Sequence, residues 1–263
     1  MTSTRRILIT NDDGITAPGL RALVEVARDF GEVTVVAPDK PQSGMGHAIT
    51  IAEPLRLYST REVFESAVAY QCSGTPVDCV KLAVDKVFDK EPPDLVLSGI
   101  NHGSNASINI LYSGTLSAAM EAAIEGIQSA GFSLLDYSWD ADFTAAKHYV
   151  RKIIRRMIER PLPPRVFLNV NIPKGPLSAL KGIRVCRQAH AKWEEDFIER
   201  VDPNGRKYYW LTGVFTNFDE GEDTDQWALE HGYVSVVPVQ FDLTAHHSIS
   251  LLAPWNEENT QDA

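Results

Sequence analysis

Four short polar clusters in this chain have the residue types and spacing to do chemistry together. The first is Asn11-Asp12-Asp13-Gly14, directly after the apolar run Ile7-Leu8-Ile9. Two neighbouring carboxylates ~5 Å apart repel by roughly 3 kcal/mol at an effective dielectric of ~20, so one takes a proton or a cation stands between them. Asn, Asp and Gly also make ordinary solvated turns, and the choice depends on whether the rest of the chain supplies further cation ligands. The second cluster is Ser43-Gly44, in a loop running from Pro38 to His47 whose glycines let backbone N–H groups approach a ligand. Taken alone it is equally a surface connection. Third comes Asn101, within Ile100-Asn101-His102-Gly103-Ser104-Asn105. The fourth, Ser113-Gly114-Thr115, precedes an alanine-rich stretch and reads either as a plain cap or as an anion site at the positive end of a helix dipole.

Together Asp12, Asp13, Ser43 and Asn101 offer two carboxylates, a hydroxyl and an amide oxygen. An all-oxygen set suits a hard divalent cation, Mg²⁺ or Mn²⁺, with positions left open for water and substrate, and nothing in it favours zinc. His47 and His102 fall in the same loops and are read as outer neighbours or bystanders. A dication beside a helix start is a phosphate-binding arrangement. It would grip a phosphoryl oxygen and acidify a water, while backbone N–H groups stabilise the charge of in-line attack. The implied reaction is hydrolysis of a phosphate monoester.

For these groups to converge, the elements before them must be parallel strands ending on one side of a sheet. The sequence predicts such an order. Arg5 to Thr10 is a strand, Thr16 caps a helix running from Pro18 to Phe30, and Glu32 to Ala37 is a second strand, giving a β-α-β unit with a right-handed crossover. Leu55 to Tyr58 and Ala67 to Cys72 suggest a hairpin beside the main sheet, and Thr75 with Asp78 marks a capped helix continuing to Val87. Asp94 to Gly99 is the middle strand, with Asn101 in its exit loop. The small residues Ala118, Ala119, Ala122 and Ala123 let the next helix lie close to the sheet. Phe132 to Leu135 is a strand, Phe143 to Arg160 a helix with a solvated basic face, and Val166 to Asn171 the last strand of the main sheet. Beyond Pro173, Ile183 to Arg187 and Lys207 to Leu211 read as strands around a hairpin tip at Asp202-Pro203-Asn204-Gly205. Thr224 to His231 is a short helix, and Tyr233 to Pro238 a strand returning to the main body. The expected fold is an α/β, three-layer Rossmann-like core over about residues 1–177. A hairpin and helix extension over about 178–263 belongs to the same single domain.

At 263 residues and 44% hydrophobic content the chain has ample material for a core. The net charge of −10 is scattered, apart from a polar tail after Trp255, which argues against a nucleic-acid duplex as partner and requires a local cationic site for an anionic substrate. Three cysteines, Cys72, Cys79 and Cys186, lack zinc spacing and argue for a reducing compartment. With no apolar run near ~18 residues and no signal-type N-terminus, the reading is a cytoplasmic protein without a membrane span. Exposed Tyr208, Tyr209 and Trp210 on the hairpin call for a partner chain.

Five ordered motifs carry a further resemblance: Ile-Leu-Ile-Thr-Asn-Asp-Asp-Gly from Ile7, Ala-Pro-Asp-x-x-Gln-Ser-Gly-x-Gly-His from Ala37, Ser-Gly-Thr-Pro-x-Asp-Cys-Val from Ser73, Ser-Gly-Ile-Asn-x-Gly-x-Asn from Ser98 and Tyr-Ser-Gly-Thr from Tyr112. The sequence resembles the survival protein SurE family of 5'/3'-nucleotidases from Ile7 to about Gly126. The likeness resumes at Tyr208-Tyr209-Trp210, Thr224-Asp225 and Gly232-Tyr233-Val234-Ser235. The resemblance implies a homodimer that exchanges its C-terminal extension, in some members paired into a homotetramer. It implies removal of phosphate from nucleoside 5'- and 3'-monophosphates with one divalent ion per subunit, and polyphosphate as a side substrate in some members. It makes Asp12, Asp13, Ser43 and Asn101 the metal ligands, Asp12 and Asp13 the catalytic pair, and Asn11, Gly44, Asn101, Ser113, Gly114 and Thr115 the phosphate contacts. Ala189 stands where the family commonly has glycine after Arg-Gln, which bears on the path of the extension alone.

Two other classes remain open at this level. A signalling receiver module also carries adjacent acids after its first strand, but needs an Asp ending its third strand and a late Lys that this chain does not supply. A nucleotide-binding protein without turnover differs only in rate.

Overall fold

Ile7, Leu8 and Ile9 are fully buried, with Ile7 and Ile9 facing one layer of helices and Leu8 the other, so the first strand lies at the heart of a sheet covered on both sides. The computed structural model describes residues 4–60, 64 and 67–256; the polar tail noted after Trp255 lies outside them from residue 257 onward. In chain order the elements are β1 (Arg6–Thr10), α1 (Pro18–Ala27), β2 (Glu32–Pro38), β3 (Leu57–Ser59), β4 (Val68–Cys72), α2 (Pro76–Leu82), β5 (Leu95–His102), α3 (Gly114–Ile124), β6 (Gln128–Leu134), α4 (Thr144–Glu159), β7 (Val166–Ile172), β8 (Ile183–Val185), β9 (Ala191–Val201), β10 (Lys207–Asn217), α5 (Asp225–Glu230), β11 (Val234–Gln240) and α6 (His246–Leu252).

The main sheet runs β3-β4-β2-β1-β5-β6-β7-β11-β8. Its centre, from β4 to β7, is parallel, while β3 pairs antiparallel with β4, β11 antiparallel with β7, and β8 parallel with β11. Leu20 and Leu23 of α1 and Val150, Ile153 and Ile154 of α4 cover one face; Cys79 and Val80 of α2 and Ala118 and Ala122 of α3 cover the other. This is the expected three-layer Rossmann-like α/β/α architecture. Strand order reverses between β1 and β5: one connection leaves β1 toward β2 through α1, the other returns to β5 through α2 on the opposite face. That switch point opens a crevice at the carboxyl ends of β1 and β5.

Local signals explain most boundaries. Thr75 and Asp78 form a reciprocal capping box, with Asp78 N donating to Thr75 Oγ1 at 3.1 Å and Thr75 N to Asp78 Oδ2 at 2.9 Å. Several expectations need correction. Thr16 does not cap α1: the N-cap is Ala17, without a side-chain cap, and Pro18 supplies the first turn instead. The helix ends at Ala27, short of Phe30. The β3–β4 hairpin is not beside the sheet but forms its edge, because β4 pairs in parallel with β2. The middle strand continues to His102, so Asn101 sits on β5 and not in its exit loop. Nor does β7 end the sheet: β11 pairs with it, and β8, at Ile183–Val185, adds beyond β11. The hairpin partner of β10 is therefore β9, and the ribbon spans Ala191 to Asn217 around the anticipated tip at Asp202 to Gly205. Composition hid β9, because its charged run Lys192-Trp193-Glu194-Glu195-Asp196 pairs only with β10 and is solvated.

Tyr208, Tyr209, Trp210 and Leu211 are 42–62% exposed on the ribbon, and α6 buries none of its residues. Cys72, Cys79 and Cys186 are all free thiols and buried. No helix among the described residues is long and apolar enough to cross a membrane.

α1 is pressed onto β5 so tightly that a Cβ on Gly19 would lie 1.9 Å from the Ile100 carbonyl oxygen. Alanine normally favours a helix over glycine by up to ~1 kcal/mol, but overlap with rigid backbone outweighs that gain. Gly19→Ala is expected to lower stability by about 2 kcal/mol in urea denaturation. A stabilised variant would mean that the contact relaxes at no cost.

Candidate active site

At the end of β1 the chain turns sharply, held by Asn11 Nδ2 donating to the Gly14 carbonyl at 3.0 Å. Two backbone bonds staple this turn to the loop after β2: Gln42 N donates to Asp12 O at 2.7 Å and Ile15 N to Pro38 O at 2.9 Å. Asp12 is thereby driven inward, 4% exposed, beneath the first turn of α3. A Cβ on Gly114 would meet Asp12 Cβ at 2.8 Å, so only glycine lets the helix start descend onto the carboxylate. Thr115 Oγ1 donates to Asp12 Oδ1, and Asp13 Oδ2 accepts from His102 N at 3.4 Å.

Burial, then the neighbouring Asp13 charge, pushes the Asp12 carboxyl up to about 6 from an ordinary 3.8, against the opposing pull of the Thr115 hydroxyl and backbone N–H. Burial also raises Asp13, which the His102 N–H partly counters. No lysine or arginine among the described residues offsets either charge. Adjacent carboxylates pushed toward protonation mark a place where a cation belongs.

Asn101 reaches the same place through a register shift between Ser98 and Asn101 on β5. Gly99 makes the shift possible, with φ of +122° and a position where any Cβ would strike Phe132 O at 2.3 Å. Asn101 Nδ2 donates to His102 O at 3.2 Å and Gly103 O at 3.0 Å, which fixes the amide and leaves Oδ1 as a free acceptor. Ser113 caps α3 by accepting from Leu116 N at 3.1 Å, leaving the N–H groups of the first helical residues at the positive end of the dipole.

A cavity of about 260 Å³ brings Asp12, Ser43, Gly44, Asn101 and Ser113 together on its wall. The other anticipated residues stand behind that wall. Asp13 flanks Asp12, Gly114 backs it, and Thr115 turns both its hydroxyl and its backbone N–H to the Asp12 carboxylate. Asn11 is 1% exposed, its Nδ2 on Gly14 and its Oδ1 buried without a partner. The donor set fits a hard divalent ion. Among the described residues no cluster of three His, Cys, Asp or Glu exists, so an ion here would draw on two carboxylates, the free Asn101 oxygen and the Ser43 hydroxyl.

The two histidines play different parts. His47 Nε2 lies 2.9 Å from Glu121 Oε2, and Glu121 also pairs with Lys81 at 2.5 Å, tethering the Ser43 loop to α3. His102 stacks on Trp139 and meets Phe143 edge-on, so it gives the site its backbone N–H alone.

Several contributors escaped the sequence reading. Asn105 N donates to Asn171 Oδ1 and its Nδ2 to Ser133 Oγ, each at 2.8 Å; Asn169 Nδ2 donates to Asn105 O at 2.9 Å, and Asn171 Nδ2 to Asn169 Oδ1 at 2.8 Å. This buried ladder anchors the segment after Asn101 to β6 and β7. Its signal was two asparagines spaced by two in the otherwise apolar Val166–Ile172. Asp225, fully buried, accepts from Ser107 N at 2.7 Å and Ala189 N at 3.0 Å, joining the extension to the site's floor. Trp193 returns from the ribbon to donate to Asn109 Oδ1 at 2.8 Å, and with Tyr112 and Tyr137 lines the cavity.

The family profile described as Survival protein SurE matches residues 7–195. The chain belongs to the survival protein SurE family. Among its relatives, the protein named 5'-nucleotidase SurE of Flavobacterium johnsoniae is 61% identical over 249 residues, covering 95% of this chain and 96% of its own. That of Flavobacterium psychrophilum, with the same name, is 59% identical over 250 residues, covering 95% and 97%. The crystal structure of the SurE protein from Aquifex aeolicus superposes with a TM-score of 0.82 at 38% identity, covering 95% of this chain and all of that one.

The raised Asp12 makes a pH prediction for the metal-free protein. Because the folded pKa, about 6, exceeds the ordinary 3.8, the ionised carboxylate opposes folding above pH 6. The cost is about 3 kcal/mol and vanishes as the pH falls from 6 toward 3.8 and the folded chain takes up the proton. Asp12→Asn is therefore expected to melt at a higher temperature than the parent in EDTA at about pH 8, with the gap closing toward about pH 4. A gap that stays constant with pH would refute the buried charge.

Proposed function

We propose that this chain hydrolyses nucleoside 5'- and 3'-monophosphates to nucleoside and phosphate, using one Mg²⁺ or Mn²⁺ per subunit, with short polyphosphate as a side substrate. The observation that carries this reading is the buried Asp12, with half-buried Asp13 beside it and no counter-cation on either among the described residues, on the same cavity as the free Asn101 oxygen and the N-terminus of α3. The names of the 59–61% identical relatives support the same activity.

In this reading Asp12, Asp13, Ser43 and Asn101 hold the metal, and Asp12 and Asp13 form the catalytic pair. The ion supplies positive charge for the phosphoryl oxygens and acidifies water. Asn11, Gly44, Asn101, Ser113, Gly114 and Thr115 surround the phosphate; the glycines donate backbone N–H groups, while Asn11 and Thr115, whose side-chain donors are spent on Gly14 and Asp12, hold the turn and the carboxylate in place. These donors are fixed before substrate arrives, because the Asn ladder, the Gly114 contact and the Thr115 hydrogen bond hold them, so little reorganisation accompanies charge build-up. A chain carrying −10 overall attracts an anionic substrate only where the metal and helix dipole reverse the local field.

We further read residues 1–263 as one functional domain, core and extension together, acting in the cytoplasm. The extension is exchanged between the subunits of a homodimer, and two such dimers can pair into a homotetramer. The uncovered α6 and the aromatic ribbon support the exchange, since both leave apolar surface that a partner would bury.

Purified protein is expected to release phosphate from nucleoside monophosphates with Mg²⁺ or Mn²⁺ and to stop when EDTA is added. Asp13→Asn should lower kcat/KM by about a hundredfold or more. Turnover that survives either treatment would rule the reading out.

A further inference from the structure

Beside the catalytic cavity lies a second, larger one of about 560 Å³, and the two share Gly44, Tyr112 and Trp193 as a common wall. Its size falls within the ~300–1,000 Å³ usual for small-molecule sites. Tyr112 and Trp193 are 52% and 41% exposed, so two aromatic faces stand open beside the phosphate cradle. Trp193 is not a loose surface ring. Its indole N–H is fixed on Asn109 Oδ1 at 2.8 Å, and it packs edge-to-face with Phe215, the ring centroids 5.5 Å apart. Such a held aromatic is a ready stacking platform for a planar base.

The far wall comes from the same ribbon. Trp193 and Glu195 are two residues apart on one strand and so share a face, and the residue paired with Glu195 is Gly213, which puts no side chain in its way. Neighbouring acids are engaged, Glu194 with Thr216 and Glu199 with Lys207, whereas Glu195 lines the cavity.

We propose that this second cavity takes the nucleobase of the substrate, stacked on Tyr112 and Trp193, and that the Glu195 carboxylate selects guanine. The proposal rests on the nucleotidase reading and names the base it favours. A carboxylate accepts two parallel hydrogen bonds best from two adjacent N–H donors. Guanine presents such a pair, N1–H and the 2-amino group. Hypoxanthine keeps only N1–H; adenine and cytosine set a lone pair beside their amine, and uracil flanks its single N–H with two carbonyls.

Binding and turnover of the full-length protein test this separately. By titration calorimetry, guanosine is expected to bind about tenfold tighter than inosine, and Glu195→Gln to bring the two within about twofold. Trp193→Ala should raise KM about tenfold for GMP and much less for ribose 5-phosphate, which has no base. Equal affinity for the two nucleosides in the parent, or a preference that survives Glu195→Gln, would overturn the proposal. So would a loss of nucleoside binding on Tyr137→Ala with none on Trp193→Ala, because Tyr137 lines only the first cavity and the base would then lie there. A guanosine preference without any phosphate release would support the subsite and sink the nucleotidase reading, while phosphate release with no base preference would do the reverse.

Discussion

Two like charges forced into a low-dielectric corner are the constraint around which the molecule is built. Asp12 and Asp13 share the end of β1, and burial alone disfavours their ionised forms. What holds them there is the packing of the sheet. β1 is central, its side chains from Ile7 to Thr10 are fully buried, and the turn that follows is stapled to the loop after β2 and roofed by α3. The apolar core thus keeps in place an electrostatic arrangement that would relax into solvent if the turn were free. The glycines at 99 and 114 serve the same end, since one admits the register shift that carries Asn101 and the other removes the side chain that would lift α3 off Asp12.

Much of this was legible in the sequence because it depended on local signals. Apolar runs marked the central strands, the Thr75 and Asp78 spacing marked a capping box, and small polar residues after each strand marked the site. Local signals failed where tertiary pairing decided. The strand β8 is three residues long and exists because β11 lies beside it, while β9 is too charged to read as a strand without β10 opposite. The site's outer parts were hidden for a similar reason. Trp193 and Asp225 act across sequence separations of 84 and 118 residues, which no window along the chain can reveal. The asparagines of β7 look like interruptions of a hydrophobic strand until their partners on the neighbouring segment are known.

Family membership and geometry bear on different questions. The match over residues 7–195 and the 38% identical fold with a TM-score of 0.82 establish the ancestry of the scaffold. How that scaffold could act follows from atoms: a carboxylate deprived of water, an amide turned so that its oxygen points outward, a helix start with the Gly114 N–H unspent. The receiver-module alternative is disfavoured on the same ground, since the residue presented at the end of β5 is the amide Asn101, which cannot carry a phosphoryl group as an aspartate does.

The asparagine ladder beneath Asn101 has a kinetic consequence. Its four hydrogen bonds link Asn105, Ser133, Asn169 and Asn171 entirely within the interior, so the loop behind the cavity is part of the cooperative core and cannot fray independently of β6 and β7. A ligand arriving at this face meets a surface already in its final shape, and capture proceeds at the pace of diffusion and desolvation, with no slow ordering step before it. Exit follows the same rule in reverse: release requires breaking contacts to the ligand, not unlatching the protein.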